Sequence, residues 1–106
     1  MWYIMLYTVF ETPTFTKTAE TILTDEEKFD FINWISANPL SGDVIPGTGG
    51  LRKIRWKRSG MGSRGGTRII YYNLVNEGEI WLLIAYTKSK FDNLPMDFLK
   101  DLKATI

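Results

Sequence analysis

"TRIIYYNLVNEGEIWLLIAYT", residues 67–87, consists of two runs of β-branched and aromatic side chains separated by a short polar break. Residues 67–75 and 79–87 are therefore expected to be strands, joined through "VNEGE" as a hairpin. Immediately upstream, "LRKIRWK" (51–57) reads as a third strand of the same meander. Side chains alternate along a strand, so Lys53, Arg55 and Lys57 fall on one face with Leu51, and Arg52, Ile54 and Trp56 on the other. The second face is able to meet a core. The first carries three successive cations.

Working outward, "WYIMLYTVF" (2–10) is a further strand candidate, ended by Pro13, and 14–22 is a short helix. Thr24 and Glu27 in "TDEEKF" fit a capping box, with Asp25 and Glu26 also in the first turn. That helix is expected to run to about Asn38, stopped by Pro39. Phe31, Trp34 and Ile35 share its inner face, broadened by Phe29 and Ile32. "NPLSGDVIPGTGG" (38–50) is punctuated as a loop. "NLP" (93–95) opens a last helix, Asn93 or Leu94 near its cap, with Leu94, Phe98 and Leu102 as its stripe. The expectation is one α+β domain over residues 1–106: an antiparallel sheet with its helices, two N-terminal and a short C-terminal one, packed on one face.

The charge is unevenly distributed. Residues 52–68 hold seven of the 13 cations and no carboxylate. A net charge of +1 with +7 in that window leaves −6 elsewhere, and no acid occurs between Asp43 and Glu77. A basic strand is often only a solvated face or protection for a sheet edge. Ordinary solvated faces mix signs, however, and this one does not. Cations interleaved with Trp56, Tyr71, Tyr72 and Tyr86 offer a phosphate-binding surface with stacking groups, the pattern of a nucleic-acid contact.

Other chemistry is narrowed by composition. The chain has no cysteine and no histidine, which removes disulfides, thiolate metal sites and the usual general base. "GMGSRG" (60–65) matches G-x-G-x-x-G, but the segment after it reads as a strand rather than a helix, so a dinucleotide site is rejected. The N-terminus lacks a basic leader and no apolar run has bilayer-spanning length, so a cytoplasmic location without membrane attachment is expected. No cofactor is expected.

The stretch "GDVIPGTGGLRKIRWKRSGMGSRGGTRIIYYNL" (42–74) resembles the RelE/HigB superfamily of type II toxins, in particular its HigB branch. There a G-T-G-G-L-R-K-I-R run, a glycine-rich basic loop and R-I-I-Y-Y follow in this order. The resemblance implies the RelE-like fold and an mRNA interferase acting on messages in the translating ribosome. It also implies a neighbouring HigA-like antitoxin with a helix-turn-helix domain. Carried over by position, the K-x-K pair of the family falls on Lys53 and Arg55, the arginine opening the next strand on Arg68, and a further basic position on Lys88, with Ser89 where an arginine is expected. Lys53 is then the candidate base, Arg55 and Arg68 the phosphate-stabilising groups, and Tyr86 or Lys88 the acid or a stacking contact. Arg52, Lys57, Arg58, Arg64, Tyr72 and Tyr86 are the RNA-binding candidates. The chemistry expected is cleavage by the RNA's own 2′-hydroxyl, which needs no metal. The alternative is a non-catalytic RNA-, ribosome- or antitoxin-binding module of the same fold.

Overall fold

A computed structural model describes residues 6–56, 66–88 and 94–106. The element order is β1 (Thr8–Glu11), α1 (Pro13–Glu20), α2 (Asp25–Ala37), β2 (Asp43–Val44), β3 (Leu51–Trp56), β4 (Thr67–Leu74), β5 (Glu79–Thr87) and α3 (Met96–Ala104). The five strands form one sheet in the order β1-β5-β4-β3-β2.

Local chemistry accounts for the boundaries. Thr12 caps α1 by accepting the Phe15 amide at 3.2 Å, and Pro13 follows at the first helical position. The capping box of α2 is complete: Thr24 Oγ1 accepts the Glu27 amide at 3.1 Å, and the Glu27 carboxylate accepts the Thr24 amide at 3.0 Å. A single 3₁₀ turn, Val75–Glu77, ends in Gly78 at φ 64°, a left-handed conformation that glycine adopts without strain, and this closes the β4–β5 hairpin.

The α+β class and the expected meander hold, and four details differ. The sheet is mixed, because β1 runs parallel to β5 while all other pairs are antiparallel. The first strand is shorter than expected, and residues 2–5 of that expectation lie outside the described residues. The helices occupy both faces. Phe15, Ala19, Phe31 and Ile35 of α1 and α2 bury Ile54, Ile69, Tyr71, Ile80, Leu82 and Ala85 on one side. Leu99 and Leu102 of α3 bury Leu51, Ile70, Leu83, Ile84 and Tyr86 on the other. A short β2 also pairs with β3 inside the segment expected to be loop.

Two helical stripes are corrected. In α2, Phe31 and Ile35 are fully buried, but Phe29 is exposed because two residues advance a helix by about 200°, onto the far side. Trp34 is partly exposed and leans on Trp56, ring centroids 5.3 Å apart. In α3 the buried pair is Leu99 and Leu102, Phe98 is exposed, and Pro95 occupies the N-cap. Asn93 lies outside the described residues.

Candidate nucleic-acid interface

Strand register assembles the basic residues. Arg55 pairs with Arg68 across β3–β4, and Arg68 pairs with Tyr86 across β4–β5. Residues paired in register share a face, so Arg55, Arg68 and Tyr86 form one transverse row on the α3 side of the sheet. At about 4.8 Å per strand the row is about 10 Å across. One row toward the apolar cluster, Lys53 pairs with Ile70 on one side and Asp43 on the other. Lys53 sits about 7 Å from Arg55 along β3. The alternation expected for 51–57 therefore holds through Trp56: Lys53 and Arg55 share a face, and Ile54 and Trp56 turn to the α2 side.

Two guanidinium-bearing residues directly opposite each other repel, and cross-strand like charges destabilise a sheet. Nothing among the described residues neutralises the centre of this row. The ion pair among them joins Lys28 to Glu11 at 3.0 Å, between α2 and β1. Neither Lys53 nor Arg68 has a carboxylate within ion-pairing distance among those residues. Arg68 Nη1 is buried and makes no hydrogen bond. A buried charged donor left unpaired is costly, and such groups are normally satisfied. Tyr86 is 3% exposed. Burial pushes its phenol above the usual tyrosine value, while the positive charge of Arg68 pulls the other way. The phenol therefore stays protonated and able to donate at neutral pH. The row offers a donor set for an anion, with no three His, Cys, Asp or Glu side chains converging among the described residues to hold a metal.

The remaining sequence candidates are placed as follows. Lys88 is exposed, immediately past β5 and two residues beyond Tyr86. Lys57, Arg58 and Arg64 lie outside the described residues. Tyr72 shares the α3 face but sits two rows from Arg68, opposite Leu51, and its ring lies 5.0 Å beneath Lys103 Nζ. Arg52 is turned to the other side, where its Nη1 donates to the carbonyls of Gly42 at 2.6 Å and Leu40 at 3.3 Å. It is thus held away from the row.

Arg52 belongs to a polar brace that carries no sequence signal. The Tyr71 hydroxyl accepts the Gly42 amide at 2.8 Å and donates to the Pro39 carbonyl at 2.9 Å. Asn73 Nδ2 donates to the same carbonyl at 2.6 Å. Burial raises the Tyr71 phenol above its ordinary value, and the hydrogen bond from Gly42 offsets part of that. The brace ties the α2–β2 connection to β3 and β4 behind the cationic row. A fully buried tyrosine in a strand is its signature, but sequence could not tell Tyr71 from Tyr72.

No family model matches the chain. Among solved structures it is similar to a double arginine-to-alanine mutant of the E. coli toxin RelE in the free state. The two superpose with a TM-score of 0.65 over 96% of this chain and 100% of that one, at 12% sequence identity. The fold is that of RelE. In this RelE-like fold, the cationic row lies on the three adjacent strands β3, β4 and β5, beside the helix that follows them. No helix among the described residues is long and apolar enough to cross a membrane.

Proposed function

We propose that this protein is the toxin of a type II toxin–antitoxin system, of the HigB branch, and that it cuts messenger RNA held in the ribosome. The observation that carries this reading is the in-register row Arg55–Arg68–Tyr86 with Lys53 beside it, whose central guanidinium has a buried nitrogen without a partner.

The mechanism follows from what RNA supplies. The 2′-hydroxyl attacks the adjacent phosphorus, and the bond to the 5′-oxygen breaks. The protein must take one proton, stabilise the crowded anionic centre and return one proton. Lys53 on β3 takes the proton from the 2′-hydroxyl. Arg55 and Arg68 hold the non-bridging oxygens; an arginine stays charged under ordinary conditions, so it serves as a donor and not as the base. Tyr86 on β5, or Lys88 just beyond it, protonates the leaving oxygen. The base and acid lie on strands either side of Arg68, which suits a displacement whose entering and leaving oxygens face apart. Lys57, Arg58 and Arg64 extend the phosphate contact. The ribosome contributes positioning, and effective-molarity gains of that kind are worth about 7–11 kcal/mol, so cleavage of naked RNA is expected to be weak. The partner that silences the toxin is a HigA-like antitoxin with a helix-turn-helix domain, and the site of action is the cytoplasm.

The test is cleavage of a defined message on purified ribosomes, with mapped ends. The expected result is cutting that leaves a 2′,3′-cyclic or 3′-phosphate, persists in chelator, and is lost in Lys53→Ala and Arg68→Ala. A protein that binds ribosomes and cuts nothing is the non-catalytic module. A fully active Arg68→Ala protein removes the site.

A further inference from the structure

Tyr86 reaches the cationic row only because β5 is irregular. From Ile80 the side chains alternate: Ile80 and Leu82 pack with α1 and α2, and Trp81 and Leu83 with α3. Strict alternation would send Ile84 and Tyr86 to the α1 side. Instead Leu83 and Ile84 both lie in the α3 cluster, and Ala85 returns to the α1 side. The register agrees, since Ile70 pairs with Ile84 and the next residue, Tyr71, pairs with Leu82, which leaves Leu83 as the extra residue of a β-bulge. Everything beyond that point is inverted relative to a regular strand. Tyr86 owes its side of the sheet to it.

The bulge has its own supports. In a regular strand, successive carbonyls point to opposite edges. Here those of Leu82 and Leu83 reach the same hydroxyl, Thr12 Oγ1, at 2.9 and 3.3 Å. The Thr12 amide also donates to the Leu82 carbonyl at 3.1 Å. Two residues past the extra residue, the Ala85 amide donates to Thr18 Oγ1 at 3.0 Å, while that hydroxyl donates back to the Thr14 carbonyl at 2.8 Å. β1 ends at Glu11, opposite Leu82, so the edge of β5 beyond it has no neighbouring strand among the described residues, and these two threonines take over its backbone groups.

We infer that Thr12 and Thr18 are positioning residues: by holding the bulge at Leu83 they fix the register that puts Tyr86 beside Arg68. The cleavage arm of its test rests on the function proposed above; the structural arm does not. Thr12→Val and Thr18→Val keep shape and remove only the hydroxyl, whereas Thr12→Ser and Thr18→Ser keep the hydroxyl. The structural readout is NMR contacts of the Tyr86 ring, to Arg68 and the α3 residue Leu99 in the bulged register or to Ala19 in the regular one. The expected result is that the valine variants lose the Arg68 and Leu99 contacts and the serine variants retain them. Cleavage on ribosomes falls in the valine variants toward the level of Tyr86→Phe, a loss on the order of 10²-fold for a missing acid, and adding Tyr86→Phe lowers it no further. If Thr12→Val does not fold, Thr18→Ala answers with the same two readouts. Folded variants lacking both hydroxyls with the Tyr86 ring still against Arg68 overturn the inference, whatever cleavage does. If the wild-type protein cuts nothing, the proposed function fails, and the ring contacts alone still decide the role of the threonines.

Discussion

Arg68→Met separates the site from the scaffold most sharply, because the structure gives its two effects opposite signs. The Arg68 guanidinium has a buried Nη1 without a partner, and its residue stands directly opposite Arg55. An unsatisfied buried donor costs about 1–3 kcal/mol, and a like-charged cross-strand neighbour adds a further ~0.2–1 kcal/mol. Methionine has comparable length, fills irregular space and needs no hydrogen bond. After allowing for lost packing of the longer side chain, the variant is expected to be more stable by about 1–2 kcal/mol, which raises Tm by roughly 4–8 °C per kcal/mol in a domain of this size. Cleavage should move the other way. Loss of one preorganised donor at a developing oxyanion lowers kcat by about 10²–10³. Urea melts and single-turnover cleavage on ribosomes measure the two. Arg52→Met is the internal comparison, since Arg52 donates from the other face to the Gly42 and Leu40 carbonyls. Its loss is expected to destabilise by about 1.5–3 kcal/mol and to leave cleavage per folded molecule intact. If Arg68→Met destabilises as Arg52→Met does, or cuts at the wild-type rate, the guanidinium is a structural group and the reasoning is wrong.

Other expectations concern the brace, the electrostatics and pH. Tyr71→Phe strands the buried Gly42 amide and should cost about 1–3 kcal/mol in a urea melt. Gly42→Ala should destabilise by a similar amount, since a Cβ there would stand 2.7 Å from Tyr71 Cε1, and such overpacking costs about 1–3 kcal/mol. Affinity for ribosomes or single-stranded RNA should fall with salt at a log–log slope near −3.5 if about five phosphates are neutralised; a flat response in filter binding would rule out a phosphate-gripping face. Burial raises the phenols of both Tyr71 and Tyr86 above 10.0, so the fold favours their neutral forms. Their contribution to stability is complete below the ordinary tyrosine value of about 10 and is lost as pH climbs through the raised values. Denaturation midpoints should therefore decline in that alkaline range, and less steeply in Tyr71→Phe.

The legible parts of the chain were those governed by neighbours in sequence. The Thr24–Glu27 box, the hairpin at Gly78 and the alternation of Lys53 with Ile54 depend on spacing alone, and each holds in the structure. The illegible parts depend on what a residue meets. Arg52 reads like any member of a basic run, yet two carbonyls some ten residues upstream hold it on the other face. Phe98 and Leu99 are both apolar, and only the angle at which α3 meets the sheet decides which of them is buried. The parallel pairing of β1 leaves no local trace, because its partner begins some seventy residues later. The bulge is the most consequential case. "WLLIAY" contains no glycine or proline to announce it, so period-2 reasoning gives the wrong face for Tyr86.

The placement of β5 bears on when, during synthesis, the sheet can close. It is the last strand among the described residues, yet it lies between β1 and β4 and receives Thr12, which caps α1, and Thr18 within it. Contacts between distant parts of a sequence close late in folding. A nascent polypeptide that has not yet emerged beyond residue 87 lacks the strand on which both its first and fourth strands must dock. Biosynthesis itself then delays assembly of the Arg55–Arg68–Tyr86 row until β5 has emerged, so the donor set proposed to grip RNA cannot form before that strand is made.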